Sequence, residues 1–200
     1  MNSDDLTFWK KVNLRQRLLR DIADPVILET HGGRGKLYSA CYSCVERGMV
    51  IEKNLEKAER LARQRPTWRV YQADSASALR LGLGRTMPFN LLDVDAYGSP
   101  WETIDAFFAS ERVRVPKLWL VATDGLRKVT TVHAAWITNS LKPIVKRRGN
   151  NLHDQYLSAC FDMLTEKAAQ GGYVVSTFDG YYCGFSNQMT HFYAVLTSSK

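Results

Sequence analysis

Residues 90–100 have the sequence Asn-Leu-Leu-Asp-Val-Asp-Ala-Tyr-Gly-Ser-Pro, in which an apolar run ends at two carboxylates. The apolar part predicts a buried parallel strand, and the Gly-Ser-Pro at 98–100 predicts the turn that leaves it. In open α/β sheets, ligands bind beyond the carboxyl ends of the strands. Asp93, Asp95 and Tyr97 are therefore candidate site residues, and an ordinary strand end with a capping aspartate is the alternative.

The composition of the chain fits a soluble globular protein. It has 200 residues, of which 45% are hydrophobic and 24% charged, so we expect a single domain over 1–200. No apolar run approaches the roughly 20 residues of a membrane span, and the acidic N-terminus lacks the apolar core of a signal peptide. We expect a cytoplasmic protein with no membrane partner, while the sequence does not indicate an oligomeric state.

The formal charge of +7 and the pI near 9.3 suggest a polyanionic partner. Cys41 and Cys44 form a C-x-x-C pair, which is compatible with a metal half-site or a redox pair. Cys160 and Cys183 are isolated, so no second half-site exists. We therefore predict reduced structural thiols and no metal site, with metal or redox use as the alternative.

The first part of the chain predicts a leading helix in 1–23 and then a βα series. Apolar residues recur at helical spacing in 6–23, and we expect the basic face of this helix to be solvated. A buried strand at 25–30 carries Glu29 and leads to the glycine-rich turn His31-Gly32-Gly33-Arg34-Gly35, followed by a helix at 36–47. Glycines let a backbone approach a ligand, and a helix N-terminus offers unpaired amides.

The same alternation continues to residue 124. Further strands are predicted at 48–52, 68–72, 89–94 and 117–123, with helices at 55–65 and 101–110. Glu52 ends the second strand, where a carboxylate can accept hydrogen bonds from a ribose diol. Asp74 follows the third strand, where it can cap the next helix or accept a hydrogen bond from an adenine amino group. This order predicts a parallel sheet with right-handed crossovers.

The last part of the chain departs from this alternation of strands and helices. A basic insertion at 125–150 contains Arg127, Lys128, Arg147 and Arg148 with His133 and Trp136 interleaved, and it predicts either contacts with phosphates or a solvated helix pair. An amphipathic helix follows at 151–169. Strands at 173–178 and 191–197, joined by a turn-rich segment at 179–189, predict a hairpin, so the last strand is expected to be antiparallel.

A βα series that ends in a hairpin, with acids closing the first four strands, resembles the class I S-adenosylmethionine-dependent methyltransferases. The resemblance implies a Rossmann-like α/β fold with a seven-stranded sheet in the order 3-2-1-4-5-7-6, in which strand 7 is antiparallel. Glu29, Gly33 and Gly35 match the spacing of the first motif of this family, whereas His31 stands where its first glycine usually lies.

Two further motifs resemble the tRNA guanine-N2 dimethyltransferase family. Residues 93–100 are similar to its D-x-D-P-[FY]-G-[ST]-P motif, and residues 121–124 are similar to its T-A-T-D motif. The chain departs from these motifs at Ala96, where the family has proline, and at Val121, where it has threonine. Since the chain ends at residue 200, we expect it to lack the additional C-terminal tRNA-binding domain of that family.

This resemblance assigns roles to the candidate residues. Asp95 would orient the base amine and Tyr97 would stack on the base. S-adenosylmethionine would be held by Glu29, His31, Gly33, Gly35, Glu52 and Asp74, and Asp93 would either contact it or fix the loop. The substrate, RNA more than DNA, would meet Gly98, Ser99, Pro100, Arg127, Lys128, Arg147 and Arg148.

Competing functions remain at this point. A nicotinamide dehydrogenase would need Gly33-Arg34-Gly35-Lys36-Leu37-Tyr38 as its G-x-G-x-x-G, and Tyr38 fills a position that requires a small residue. A methyltransferase acting on DNA or a small molecule, and a non-catalytic binding module with this fold, both stay open. The leading hypothesis is a methyltransferase acting on guanine N2 in RNA such as tRNA.

Overall fold

The computed structural model describes residues 3–132, 142–148 and 152–199. Seven strands and seven α-helices alternate along most of these residues. The strands are β1 (Val26–Thr30), β2 (Arg47–Glu52), β3 (Arg69–Gln72), β4 (Leu91–Asp95), β5 (Lys117–Asp124), β6 (Tyr173–Cys183) and β7 (Met189–Ser198). The helices are α1 (Ser3–Arg20), α2 (Leu55–Gln64), α3 (Ser75–Arg80), α4 (Trp101–Ala109), α5 (Arg127–Val132), α6 (Lys142–Arg148) and α7 (Tyr156–Gln170).

The seven strands form one sheet in the order β3-β2-β1-β4-β5-β7-β6. Strands β1 to β5 are parallel, and β7 runs antiparallel to both β5 and β6. The predicted strand order and the antiparallel last strand are therefore confirmed. As a result, the carboxyl ends of β1 to β6 and the start of β7 lie at one edge of the sheet, where the predicted site residues are concentrated.

Each face of the sheet is covered by a different set of helices. The side chains of Ile27, Val50, Leu91 and Val121 pack on one face in a cluster that also contains buried residues of α1 and α2. On the opposite face, Leu28, Leu92 and Leu120 pack with α3, α4 and α7. We call these the α1 face and the α4 face. Because successive side chains of a strand point to opposite faces, Asp93 and Asp95 lie on the α1 face, and Asp124 lies on the α4 face.

Three predicted elements differ from the structure. The helix predicted at 36–47 contains a π-helical turn at Tyr38–Tyr42, and β2 already begins at Arg47. Strand β6 continues to Cys183, where it pairs with Met189, so the turn-rich segment predicted at 179–189 shrinks to residues 184–188. That short connection is possible because Gly184, Ser186 and Asn187 adopt positive φ angles. Helix α7 begins at Tyr156, later than predicted.

Two general features concern the membrane and the cysteines. Within the described ranges, no helix combines the length and the apolar character that crossing a bilayer requires. The four cysteines are free thiols; Cys41 is buried and Cys44 is exposed. No group of three potential metal ligands occurs in the part of the chain that the structure describes.

Candidate functional site

Asp93 anchors α1 to the sheet. Its carboxylate is fully buried and accepts hydrogen bonds from both Nε and Nη2 of Arg15, each at 2.7 Å, and from the Tyr42 hydroxyl at 2.6 Å. The bidentate pairing with a guanidinium is among the stronger ionic contacts in proteins. Of the two roles predicted for Asp93, the geometry therefore favours fixing the surrounding structure over contact with a cofactor.

Asp95, two residues further along the same face, is partly open. Its side chain is 21% exposed, and Oδ1 accepts hydrogen bonds from Lys11 Nζ at 2.6 Å and Thr123 Oγ1 at 2.5 Å. Burial alone would raise the pKa of Asp95, but the charges of Arg15 and Lys11 and these hydrogen bonds outweigh it and lower the pKa to about 2. Oδ2 accepts no hydrogen bond from the described residues, so an ionised oxygen remains for a ligand.

The inward-facing cations of α1 correct the expectation of a solvated basic face. Arg15 is fully buried, and the side chain of Lys11 is 16% exposed. Both share a side of the helix with Leu18, which is buried as well, because residues three, four or seven apart lie on one face. A cation repeated within an apolar stripe was the available signal in the sequence, whereas its carboxylate partners lie about 80 residues away.

A pocket of about 360 Å³ opens between α1 and the glycine-rich turn, next to Asp95. This volume lies within the usual range for small-molecule sites. Carboxylates and cations both face it, and its lining includes Phe8, Lys11, Glu29, His31, Gly33, Arg34, Lys36, Lys57 and Asp95. The structure thus brings Glu29, His31, Gly33 and Asp95 together at one pocket.

Glu29 is at the buried base of this pocket. Its Oε2 lies 2.5 Å from Nη1 of Arg65, which is fully buried and stacks over the Tyr38 ring at 4.2 Å. Burial raises the pKa of Glu29 to about 7, although the Arg65 cation opposes this rise. Glu29 can reach a ligand from the pocket floor, but its first partner is Arg65, which no local pattern in the sequence indicated.

The glycine-rich turn is tied to Glu52. The backbone amides of Gly33 and Asn54 donate to the two Glu52 oxygens at 2.7 Å and 2.9 Å. His31, Gly33 and Gly35 all have positive φ angles, and the His31 amide donates to the Ile51 carbonyl at 2.9 Å. Among the described residues, the atom nearest to a Cβ added on Gly33 would be the His31 carbonyl oxygen at 3.8 Å, so this side of the turn is open. Glu52 therefore shapes the turn and retains lone pairs for further donors.

Asp74 caps α3, which was one of its two predicted roles. Its Oδ1 accepts hydrogen bonds from the Ser77 amide and hydroxyl at 3.1 Å and 3.0 Å. Those bonds lower the pKa of Asp74 below its ordinary value. Its Oδ2 lies 3.6 Å from Lys53 Nζ at an exposed position, where a polar ligand group has access.

The turn after Asp95 presents an aromatic ring to solvent. Tyr97 is fully exposed, while Gly98 accepts a hydrogen bond from the Gly125 amide at 2.8 Å. The Ser99 hydroxyl pairs with Glu102 and accepts from the Trp101 amide, and Pro100 is buried at the start of α4. Ser99 and Pro100 therefore organise the turn, and Tyr97 is the side chain with open access to a substrate.

Two arginines of the basic insertion, for which phosphate contacts or a solvated helix pair were predicted, are engaged within the fold. Arg127 is buried, donates to the carbonyls of His153 and Asn187, and lies 3.8 Å over the Tyr182 ring. Arg148 pairs with Asp162 of α7 at 2.5 Å. Lys128 and Arg147 are exposed, whereas His133 and Trp136 lie outside the described residues.

Asp124 lies at the end of β5 on the α4 face. It is fully buried and accepts hydrogen bonds from Trp101 Nε1 at 2.8 Å, the Tyr156 hydroxyl at 2.9 Å and the Leu126 amide at 2.7 Å. Burial raises its pKa to about 6, although these hydrogen bonds oppose the rise. Asp124 therefore fixes the end of β5 against α4 and α7.

Comparison with known proteins supports the fold. The sequence matches no protein-family model and no curated protein. Trm1 from Pyrococcus horikoshii, solved with S-adenosyl-L-methionine, has a TM-score of 0.64 and 13% identity over 94% of this chain, and the chain covers 53% of Trm1, about half of its length.

Two further structures match nearly the whole chain. The N-methyltransferase NodS from Bradyrhizobium japonicum WM9 has a TM-score of 0.60 and 14% identity, with 100% of both chains covered. The methyltransferase domain of bacterial CtHen1-C has a TM-score of 0.56 and 11% identity, with 95% of this chain and 97% of that chain covered. Together with the strand order, these similarities show that the chain has the Rossmann-like fold of the class I S-adenosylmethionine-dependent methyltransferases.

Proposed function

We propose that the protein is an S-adenosylmethionine-dependent methyltransferase that methylates an exocyclic base amine, guanine N2, in RNA such as tRNA. The observation that carries this proposal is Asp95, an ionised carboxylate that borders the pocket beside the glycine-rich turn and whose Oδ2 accepts no hydrogen bond from the described residues. The motifs around Asp95 and Thr123, which resemble those of the tRNA guanine-N2 dimethyltransferases, support the choice of substrate.

The pocket residues fit the chemistry of this cofactor, which combines an amino acid, a ribose diol and a sulfonium cation. Cations at Arg34, Lys36 and Lys57 can pair with its carboxylate, and Glu29 offers oxygen acceptors to its amino group. The open space at Gly33 lets the backbone approach a ligand closely. Glu52 is proposed to accept from the ribose hydroxyls and Asp74 from the adenine amine. When bound, the cofactor supplies an electrophilic methyl group.

Asp95 has the central role in this proposal. The amine of guanine is a poor nucleophile because its lone pair is delocalised into the ring. An N–H donated to Oδ2 of Asp95 would turn that lone pair toward the methyl group, and good alignment can supply about 7–11 kcal/mol of the barrier in favourable cases. The anion also stabilises the positive charge that develops on the nitrogen. With a pKa of about 2, Asp95 stays ionised at neutral pH and suits acceptance of hydrogen bonds better than storage of a proton.

Tyr97 is proposed to hold the target base. Stacking of a base on an aromatic ring is worth about 1–3 kcal/mol, and the exposed ring of Tyr97 has room for it. A base within a helix must first be flipped out, which costs a few kcal/mol. The stacking energy offsets part of that cost, so single-stranded or unpaired guanines are the preferred targets.

Labelled methyl transfer tests the proposed function. The protein is incubated with methyl-labelled S-adenosylmethionine and separate pools of total RNA and DNA, and the nucleosides are then analysed. The proposal predicts label in N2-methylated guanosine from RNA. Label in DNA alone would overturn the choice of substrate, and a calorimetric titration that detects no cofactor binding would favour a non-catalytic binding module.

A further inference from the structure

A second concave surface lies on the other flank of α1, between this helix and the end of β6. It has a volume of about 470 Å³, and its lining includes Lys10, Asn13, Arg17, Asp179, Tyr181 and Tyr182. We call it the α1–β6 groove. It shares none of its lining residues with the pocket that holds Glu29 and Asp95, so a ligand could occupy each of them at the same time.

The groove lies beside Asp95 in the register of the sheet. Asp95 pairs with Thr123, Thr123 with His191, and His191 with Tyr181, so the four residues form one row across β4, β5, β7 and β6. At a spacing of about 4.8 Å between strands, the row spans about 14 Å. Lys10, which lines the groove, directly precedes Lys11, which pairs with Asp95. A chain-like substrate with one unit at Asp95 would therefore have to span about 14 Å, around the buried side chains of Thr123 and His191, to reach this groove.

Two cations that line the groove lie over aromatic rings, one in the groove and one outside its lining. Lys10 Nζ lies 5.8 Å from the Tyr181 ring centroid, and the Arg17 guanidinium lies 5.1 Å from that of Tyr193. Arg17 is exposed, and both tyrosine rings are partly exposed. The acidic residue in the lining, Asp179, uses Oδ1 to accept a hydrogen bond from the Gly180 amide at 2.8 Å. Phosphates and bases are the groups that such an arrangement recognises.

A hydrogen bond to a buried histidine fixes the orientation of the Tyr181 ring. Its hydroxyl lies 3.0 Å from Nδ1 of His191, which is fully buried. Burial lowers the pKa of His191 to about 3, and the nearby Lys11 and Arg15 cations lower it further. The imidazole is thus neutral at physiological pH and serves as a hydrogen-bond partner. A ring that is held in place loses less conformational entropy when a base stacks on it.

We propose that the α1–β6 groove binds a single-stranded segment of the substrate RNA next to the target base. In this arrangement Lys10 and Arg17 contact phosphates, and Tyr181 stacks on a base. The inference rests on the proposed function for the identity of the polymer. The groove would also provide a phosphate-binding surface in place of Arg127 and Arg148, whose side chains are engaged within the fold.

Binding of a fluorescently labelled single-stranded RNA oligonucleotide, measured by polarisation across a range of salt concentrations, tests this groove. Replacement of Lys10 and Arg17 by glutamine together should reduce the slope of log affinity against log salt by roughly 1.4, at about 0.7 for each phosphate that the protein no longer neutralises. Tyr181→Leu should weaken binding by about 5- to 150-fold, as expected when one base stack is removed.

Two variants outside the groove serve as matched controls. Arg63→Gln removes an exposed arginine from α2, and Tyr71→Leu removes an exposed ring from β3, at the opposite edge of the sheet. Both should bind RNA like the wild type, and thermal melts monitor the folding of every variant. Equal RNA affinity and equal salt slope in the groove variants and the controls would overturn the inference.

The binding assay contains no methyl donor, so it separates the groove from the proposed activity. Calorimetry with S-adenosylmethionine should give the same cofactor affinity for the wild type and the groove variants. If the groove variants lose RNA binding but the wild type transfers no methyl group, the groove is supported and the proposed function fails. If the wild type methylates RNA and the groove variants bind it normally, the groove inference alone fails.

Discussion

Asp95 and Asp124 end neighbouring parallel strands, yet their carboxylates are stabilised in opposite ways. Asp95, on the α1 face, contacts the cations of Lys11 and Arg15, and its pKa is lowered to about 2. Asp124, on the α4 face, is surrounded by neutral donors from Trp101, Tyr156 and Leu126, and burial raises its pKa to about 6. Two aspartates at the same edge of the sheet thus differ in pKa: the surroundings of Asp95 favour its ionised form, and those of Asp124 favour its protonated form.

This difference separates the proposed role of Asp95 in a site from the structural role of Asp124. Neutral hydrogen bonds occupy Asp124 and hold α4 and α7 against β5, but they leave no access to solvent. Cations keep Asp95 ionised while its side chain still borders the pocket beside the glycine-rich turn. An anion that must accept a hydrogen bond from a substrate needs charge compensation without full burial, because desolvation of an uncompensated carboxylate favours its protonated form.

The largest effect is expected when the charge compensation on the α1 face is removed. Arg15→Ala leaves Asp93 buried with the neutral Tyr42 hydroxyl as a remaining hydrogen-bond donor. Removing one partner of a buried ion pair costs about 3–5 kcal/mol. The free energy of unfolding, measured by urea denaturation, should therefore fall by that amount.

Two further variants make this stability prediction specific. Arg20→Ala, at an exposed position of the same helix, should change the free energy of unfolding by less than about 0.5 kcal/mol. The double variant Arg15→Ala/Asp93→Asn should recover part of the loss, because it removes the buried charge as well. Equal losses in Arg15→Ala and Arg20→Ala would contradict the role of the Arg15–Asp93 pair.

Asp124→Asn tests the raised pKa of Asp124 on the α4 face. Because the folded-state pKa of Asp124 is about 6 and its ordinary value is 3.8, the folded protein holds a proton that the unfolded chain releases. The contribution of Asp124 to stability therefore falls as pH rises from about 4 to about 6, by roughly 3 kcal/mol. The asparagine side chain does not ionise, so this change of stability with pH is absent from Asp124→Asn.

The measured quantity is the difference in unfolding free energy between Asp124→Asn and the wild type, from urea denaturation at several pH values. Over the interval from about pH 4 to pH 6, the variant should gain stability relative to the wild type. Asp21→Asn, at an exposed position, is the control and should show a constant difference. A constant difference for Asp124→Asn as well would show that Asp124 titrates normally.

Lys11→Gln is expected to have the smallest effect on stability but a direct effect on Asp95. Loss of an opposite charge at 2.6 Å should raise the pKa of Asp95 by about one unit or more, as followed by carbon NMR of the aspartate carboxyl groups. Lys10→Gln, one position earlier in the helix, serves as the control and should move this pKa less. If the pKa of Asp95 does not change in Lys11→Gln, Lys11 is not its compensating cation.

Local patterns in the sequence predicted the alternating strands and helices, whereas the strand order was implied by the resemblance to the class I S-adenosylmethionine-dependent methyltransferases. Apolar runs that end in acids placed Glu29, Glu52, Asp93 and Asp95 near the carboxyl edge, and two final strands without an intervening helix indicated the antiparallel β7. These signals depend on strand length, turn residues and chain connectivity, all of which are visible over short distances in the sequence.

The partners of those acids could not be predicted in the same way. Arg15 meets Asp93 across 78 residues, and Lys11 meets Asp95 across 84, so helical periodicity could place these cations on the apolar side of α1 but could not identify their partners. Arg127 is likewise occupied by carbonyls of His153 and Asn187, which come from distant segments. Strand β6 extends through Gly180 to Cys183 because it pairs with β7, although its composition suggested a turn.

Methyl transfer by Asp95→Asn provides the most direct test of the proposed role of Asp95. The substitution keeps the size of the side chain but removes its negative charge. We expect kcat for labelled methyl transfer to RNA to fall by about 100- to 1,000-fold, while calorimetry shows cofactor affinity within about threefold of the wild type. Unchanged kcat in a folded Asp95→Asn variant that binds the cofactor would contradict the assignment of Asp95 as the group that orients the base amine.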